Sequence, residues 1–521
     1  MGASSRFVPT AWLIAALTLG SRVLGLIREC LFSYFFSTSE LLSAFRIAFM
    51  VPNLARRLFG EGALSSAMIP VLTDTLHERG EESSQRFVGS LFTILAVVLV
   101  VIILAAEAAI AAWRAIKDDL ALELAAVLIP YMGLICIVAV GSAVLNVRRH
   151  FAAPAAAPML LNIGIIASIL AGALWAGLTG TRLMIAVCAG VLIAGVIQVV
   201  ATAVALRAVS FFPIFGVRWR DPRIRAVGAL MAPMILGLSA VQINSLVDYL
   251  IAYLFITQDG ERIGPAVLGY AQYLYQLPLG VFGIALATAI FPVLSQKATE
   301  GDRAGLAEVL GRGIRLSLFV ALPASVGLMF VGSPLVATLY QRGAFDAADT
   351  QRVAGTLLFY SIGIAAYFTQ HILVRAFYAM HNSQTPARVA LATVAVNFTM
   401  NIALVFVLQE RGLALATAVC AAIQVSWLSV KLARDIPEID WRRIRRSVTR
   451  MLLATGIMAG MLTILVWPAL AGDRIAANPP ARLATLVIAG VVTYALAAHV
   501  LRISELGAVL RRGRNVEAGG D

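Results

Sequence analysis

The sequence predicts an all-α integral membrane protein of about 14 transmembrane helices, arranged as two pseudo-symmetric six-helix lobes plus two C-terminal helices. Three observations carry that expectation. The chain is 60% hydrophobic and only 13% charged, with a mean hydropathy of +0.87, whereas soluble domains carry about 25% charged residues. Its apolar runs are roughly 18 to 30 residues long and do not alternate, so they suit helices and not barrel strands. A segment near residue 63 returns near residue 285, which is the mark of an internal repeat.

Taken in order, the spans are expected near 8–35, 40–75, 87–113, 121–147, 155–178, 183–209, 227–256, 264–297, 313–340, 350–380, 385–408, 412–433, 450–470 and 481–501. The first stretch is long, carries charge and lacks a small-residue cleavage site, so it is expected to remain as a span. Charge sets the orientation. The N-terminus, alternate loops and the tail hold roughly 26 Lys and Arg against about 9 in the opposite set. The richer set is expected in the cytoplasm, and both termini with it. The most basic loops, "RWRDPRIR" (218–225) and "DWRRIRRSVTR" (440–450), are either solvated positive-inside loops or amphipathic segments lying on anionic lipid.

The repeat divides the chain. "ALSSAMIPVL" (63–72) ends the second span and "ALATAIFPVL" (285–294) ends the eighth, with six of ten positions identical. A looser echo joins "RRHFAAP" (148–154) to "AMHNSQTP" (379–386). An offset of six spans makes the copies parallel, as in alternating-access transporters whose substrate site lies between repeats. The expected divisions are a lobe at 1–210, a cytoplasmic amphipathic linker at 211–226, a lobe at 227–434, two extra helices at 435–501 and a cytoplasmic tail at 502–521.

Charge inside the spans is the strongest functional signal, because ionisable groups at membrane depth are costly and mark sites. "SRVLGLIREC" (21–30) places Arg22, Arg28 and Glu29 in the first span. On a helix, Arg22 and Glu29 lie within about 20° of one another, two turns apart, and Arg28 sits about 120° round from Arg22. The second span adds Arg46, Arg56, Arg57 and Glu61, and Pro52, Gly60 and Gly62 interrupt its helix. Broken helix at membrane depth needs protein or water to satisfy its backbone. These residues imply a polar, net cationic cavity in the first lobe. It calls for an anion, and the planar fork of Arg suits phosphate, with a diphosphate the natural guess. Arg56 and Arg57 could instead snorkel to an interface.

The second lobe differs. Its eighth span carries no charge, only Gln272, Gln276 and tyrosines. Gln242, Asn244 and a lone Asp248 mark the seventh span, Asn397 and Asn401 the eleventh, and Thr417 the twelfth. Asp248, Asn397, Asn401 and Thr417 form a hard oxygen set of low charge, suited to a monovalent cation or a proton and not to zinc. The alternative is hydrogen bonding between helices. Cys30, Cys136, Cys188 and Cys420 are scattered, and the five histidines show no ligand spacing. No HExxH, paired-carboxylate loop or Gly-rich phosphate loop is present, so an enzyme is not expected. The basic excess is read as topology and not as nucleic-acid binding.

"SRVLGLIRE", "PNLARRLFGEGALSSAMIPVL", "QLPLGVFGIALATAIFPVL", "LYQRGAFDAADT" and "AFYAMHNSQTP" resemble the MurJ (MviN) lipid II flippases of the multidrug/oligosaccharidyl-lipid/polysaccharide exporter superfamily. The resemblance runs in order across nearly the whole chain. It implies a non-enzymatic flippase in the bacterial inner membrane that moves undecaprenyl-diphosphate-linked GlcNAc–MurNAc-pentapeptide to the periplasmic leaflet for peptidoglycan synthesis. The family's arginines match Arg22, Arg28 and Arg56, and its following acid is Glu29 here. The last two helices would form a groove for the lipid tail. A sodium site in some members aligns with Asp248, Asn397, Asn401 and Thr417, with Leu413 offering its carbonyl. Lipid II and membrane lipids are the implied partners, cell-wall synthesis proteins are further candidates, and a monomer is expected.

This chain departs from the pattern at three places. Ser43 stands where many members have Asp, and Gln272 and Tyr273 stand where many have an acid or amide followed by Arg. Arg46, one turn after Ser43, is the candidate replacement cation. The remaining alternatives are a polysaccharide-repeat-unit or drug exporter of the same superfamily, and a non-transporting scaffold.

Overall fold

The computed structural model describes residues 4–57, 63–466 and 478–507, and nearly all of them are helical. The expected features at Gly60, Glu61 and Gly62, part of the span at 450–470, and the tail beyond residue 507 lie outside the described residues. The helices are α1 (Ser4–Phe36), α2 (Glu40–Ala55), α3 (Ala63–Arg114), α4 (Leu120–Leu128), α5 (Pro130–Val147), α6 (Ala152–Leu170), α7 (Gly180–Ala208) and α8 (Pro222–Phe255). A short hairpin, β1 (Thr257–Gln258) and β2 (Glu261–Arg262), leads to α9 (Gly264–Pro278) and α10 (Ile284–Thr299). Then come α11 (Arg303–Tyr340), α12 (Ala347–Ile362), α13 (Ile364–Ala379), α14 (Gln384–Leu408), α15 (Glu410–Asp435), α16 (Trp441–Val466) and α17 (Pro479–Val500).

Among the described residues, ten helices are long and apolar enough to cross a membrane, or eleven if α12 and α13, bent by 43°, make one span. The three expected spans outside that count are 8–35, 40–75 and 227–256. The span at 40–75 is not one helix. Its first part, α2, is only 16 residues long and contains Pro52, and Arg56 and Arg57 are wound as a π turn. Proline removes a helical hydrogen bond and favours such breaks. The loop expected at 76–86 is helical instead. α3 leaves helical geometry at Gly80, with φ 76° and ψ −173°, a region essentially restricted to glycine.

The chain forms two compact units, one of Met1–Tyr253 with Thr257–Ala266, the other of Leu254–Ile256 with Val267–Asp521. In the first, Leu64, Met68, Phe87, Val140, Val144 and Phe211 belong to one buried apolar cluster. The linker expected to be amphipathic has no regular structure over 211–218. It lies against α3 as a strap. The Ile214 N–H donates to the Gln85 carbonyl at 3.0 Å, Arg148 covers the Phe211 ring at 5.5 Å, and Arg223 donates to Ser83 Oγ at 2.9 Å. The strap crosses α3 at Gly89, where a Cβ would meet the Ile214 carbonyl oxygen at 2.0 Å. Only glycine permits so close a crossing of two backbones.

At the other end of this unit, Arg262 Nη1 donates to Asp119 at 2.7 Å. Tyr253 donates to the same carboxylate at 2.9 Å, and Arg262 lies 4.7 Å over the Tyr253 ring. Burial alone would raise the Asp119 pKa, but the Arg262 and Tyr253 hydrogen bonds hold it below the usual carboxylate range.

In the second unit, Leu294, Leu310, Ile314, Leu373, Phe377 and Leu428 share a core, and α16 and α17 pack on α11 and on each other. Tyr494 on α17 donates to the Phe319 carbonyl at 2.9 Å. Beyond α17, Glu505 accepts from Arg315 Nε at 2.7 Å and from Ser447 at 3.2 Å. This ties the turn after α17 to both α11 and α16.

Gly89→Val will unseat the strap. The expected result is faster proteolysis within 211–221 and a loss of about 1–3 kcal/mol, the usual cost of overpacking, read from the unfolding midpoint. Asp119 gives a pH prediction with a definite sign. Its folded pKa is depressed, so its contribution to stability is complete above the unfolded value near 3.8 and is lost as pH falls below that towards the folded value. Acid titration of the unfolding midpoint is expected to lose that component in Asp119→Asn.

Candidate functional site: a bridged arginine pair among apolar helices

Glu29 is the centre of the first unit's charged cluster. Its carboxylate is 3% exposed, a burial that carboxylates tolerate only when paired. Arg28 Nη2 donates to one oxygen at 2.8 Å, and Arg46 Nη2 donates to the other at 2.8 Å. Glu29 therefore joins α1 to α2 and holds two guanidinium groups on its two sides. The three charges sum to +1. One partner comes from α1 itself and the other from α2.

Asn162 on α6 completes the cluster. Its Oδ1 accepts from Arg28 Nη1 at 2.9 Å, and its Nδ2 donates to the Ser21 carbonyl at 3.2 Å. Sequence reasoning missed it. The available signal was a single amide in the apolar run "PMLLNIGII". Arg22 is partly buried on α1, the helix of Arg28 and Glu29. Arg56 donates to Asn53 at 3.1 Å, and the exposed Arg57 donates to Gln242 on α8 at 3.0 Å. Tyr249, also on α8, lies within electrostatic reach of Arg46, Glu29, Arg57 and Asp248. Asn244 donates to Asp248 at 3.4 Å, and Asp248 is 2% exposed.

Ser43 has a definite role. It is fully buried, and its hydroxyl oxygen accepts the Ala266 backbone N–H at 3.2 Å. Ala266 is in the first turn of α9, and its N–H is shared between Ser43 and the Ile263 carbonyl at 3.1 Å. Serine is adequate for that task without a charge.

In the second unit, Gln272 donates to the Tyr360 hydroxyl at 3.1 Å, and Tyr360 stacks on Tyr275 at 4.8 Å. Tyr273 is partly buried on the same helix, one position on. Asn401 Nδ2 donates to Asn397 Oδ1 at 2.8 Å, with both residues buried. Asn397 Nδ2 is buried without a hydrogen-bond partner among the described residues. On α15, which packs against α14, the Thr417 hydroxyl donates to the Leu413 carbonyl at 3.0 Å. Four of the five expected cation ligands thus lie in this unit, and Asp248 lies in the other.

The fold is that of a multi-pass transporter. The chain matches a solved structure described as "Lipid II flippase MurJ, inward closed conformation" with a TM-score of 0.78 and 22% identity, covering 94% of this chain and 98% of that one. It also matches an inward-facing multidrug resistance MATE family transporter of the MOP superfamily, with a TM-score of 0.66 and 15% identity, covering 81% of this chain and 98% of that one. The sequence profile described as "Lipid II flippase MurJ" matches residues 32–469, and the chain belongs to that family. A Rhizobium tropici relative named "Probable lipid II flippase MurJ" is 31% identical over 96% of this chain and 95% of its own length. A Burkholderia cenocepacia relative named "Lipid II flippase MurJ" is 30% identical over 86% of this chain and 88% of its own.

Glu29→Ala is expected to destabilise far more than Arg46→Ala. The first leaves two cations facing each other, a defect worth about 3–5 kcal/mol when fully buried and less here, because the arginines keep partial exposure. The second leaves Glu29 paired with Arg28. Unfolding midpoints of the two purified variants in one detergent compare them directly.

Proposed function

We propose that this chain flips lipid II, the undecaprenyl-diphosphate-linked peptidoglycan precursor, from the cytoplasmic to the periplasmic leaflet by alternating access, with arginines of the first unit holding the diphosphate. The observation that carries the reading is the Arg28–Glu29–Arg46 cluster. It leaves net positive charge among apolar helices of a protein that belongs to a lipid II flippase family. Arg22, Arg28 and Arg56 are the phosphate ligands in this reading. Glu29 orients Arg28 and Arg46, so their forks are set before the anion arrives. Gln272 and Tyr273 are neutral contacts for the sugar–peptide part.

The fold in this reading is 14 spans in two six-helix lobes plus two helices, with both termini in the cytoplasm, as the roughly 26 to 9 charge asymmetry favours. The exposed apolar faces of α16 and α17 would receive the lipid tail. No second protein chain is required. The residues of α14 and α15 fit a monovalent cation chemically, since Asn397, Asn401, Leu413 and Thr417 supply uncharged oxygens, and Asp248 would add the one negative charge. Such an ion, when bound, would neutralise Asp248 and bias the conformational equilibrium.

Two measurements test this. In a bacterium depleted of its resident lipid II flippase, the chain is expected to restore precursor exposure at the periplasmic face. Arg28→Ala is expected to insert normally and restore none, and full complementation by that variant would sink the arginine assignment. Sodium is expected to raise the unfolding midpoint of the wild type by a few degrees over an equal concentration of choline and to leave Asp248→Asn unchanged. Equal responses remove the cation site.

A further inference from the structure

The start of α16 carries charge of the wrong sign for a helix. Arg442, Arg443, Arg445 and Arg446 fill its first two turns and Arg450 lies one turn beyond, although the positive end of the helix dipole disfavours cations there. Arg442 with Arg446, and Arg446 with Arg450, are also like-charge pairs at i,i+4, which repel. Neighbouring carboxylates offset this at the backbone and not at the arginine side chains. Asp440 accepts the Arg443 backbone N–H at 2.8 Å, and Glu505 is taken by Arg315 and Ser447. Among the described residues no acid pairs with Arg442, Arg445 or Arg446. Arg442, Arg445, Arg446, Thr449 and Arg450 line a concavity of about 430 Å³. A second basic concavity, about 600 Å³ at the strap, differs because Asp221 lies in it and pairs with Arg223 at 2.7 Å.

The rest of α16 supplies a surface for an apolar tail. At helical spacing from Arg446 and Arg450, the same face continues through Leu453, Ile457 and Ile464, all more than half exposed. Added Cβ atoms at Gly456 and Gly460 would meet nothing, so this face is also shallow. The opposite face is buried through Met451, Ala454, Met458 and Leu462. One exposed face therefore changes lengthwise from arginine to hydrocarbon, which is the pattern of an anionic amphiphile standing upright in a leaflet.

We propose that the arginine concavity at the start of α16 is a binding site for the phosphate group of a membrane lipid whose tail lies along Leu453, Ile457 and Ile464. The inference rests on the cytoplasmic placement of this helix end in the proposed flippase topology. The site is separate from the Arg28 cluster in sequence and in unit. Two lipids carry the required chemistry, an anionic phospholipid of the inner leaflet and the diphosphate of the polyprenyl carrier before transport. Their sources are separable by experiment.

The test uses the full chain in detergent, delipidated, with binding read by native mass spectrometry and by thermal shift. The probes are dioleoylphosphatidylglycerol, dioleoylphosphatidylcholine and undecaprenyl diphosphate. The wild type is expected to bind the phosphatidylglycerol and not the phosphatidylcholine. Arg442→Gln with Arg446→Gln is expected to weaken that binding about tenfold, with an unfolding midpoint no lower than the wild type's when no lipid is present, because the like-charge repulsion is relieved. Arg28→Ala is expected to bind phosphatidylglycerol as the wild type does, so a failed flippase assignment leaves this readout intact. Undecaprenyl diphosphate that displaces phosphatidylglycerol from the wild type and from Arg28→Ala, but not from the double variant, identifies the carrier as ligand. No displacement identifies bulk phospholipid. Equal binding of phosphatidylglycerol to the wild type and to the double variant overturns the site, as does equal binding of phosphatidylcholine. Should the double variant unfold, Arg445→Gln alone must still weaken binding by several-fold.

Discussion

A carboxylate among apolar helices must be shared or neutralised, and Glu29 is shared. Its two oxygens receive Arg28 from its own helix and Arg46 from the next, and Asn162 steadies Arg28 from a third. Removing water from ions costs several kcal/mol each, so the three groups are stable only together. That mutual dependence fixes the packing of α1, α2 and α6 around one polar point. The three groups together carry a net charge of +1. The bridging holds both guanidinium groups in place.

The same logic of partnership accounts for the neutral residues at positions 43 and 272. Ser43 satisfies one backbone N–H at the start of α9, a job that needs an acceptor and not a charge. Gln272 is held by Tyr360 within a stack of tyrosines. Both positions are integrated into their surroundings as neutral groups. Serine and glutamine are thus compatible with the fold at these positions.

Most helix limits were legible in the sequence because apolar runs bounded by basic loops leave few alternatives. The expected span at 385–408 became Gln384–Leu408, and that at 481–501 became Pro479–Val500. What was not legible depended on contacts distant in sequence. Nothing near Gly80 says that an expected loop continues as helix on both sides of one glycine. Nothing near Gly89 says that another segment crosses it. At the charged cluster the intramembrane residues were evident from their cost alone, yet the Glu29–Arg46 bond and the part played by Asn162 required three helices to be placed. The asparagine pair on α14 was predictable from its four-residue spacing. The Thr417–Leu413 bond obeys the same local rule.

The strap at Gly89 bears on how the molecule can be divided. The repeat alone suggests a cut between the six-helix copies, in the basic segment after residue 210, and makes that segment look like a convenient place for an inserted reporter. Phe211 and Ile214 are instead seated on α3, and α8 groups with the first unit as far as Tyr253. A fragment ending at 210 would expose the Phe87–Phe211 surface and lose a helix that belongs to it. The first compact unit instead runs on through α8 and the hairpin to Ala266 in the first turn of α9, so a split that respects it must keep the strap and α8 with α1–α7.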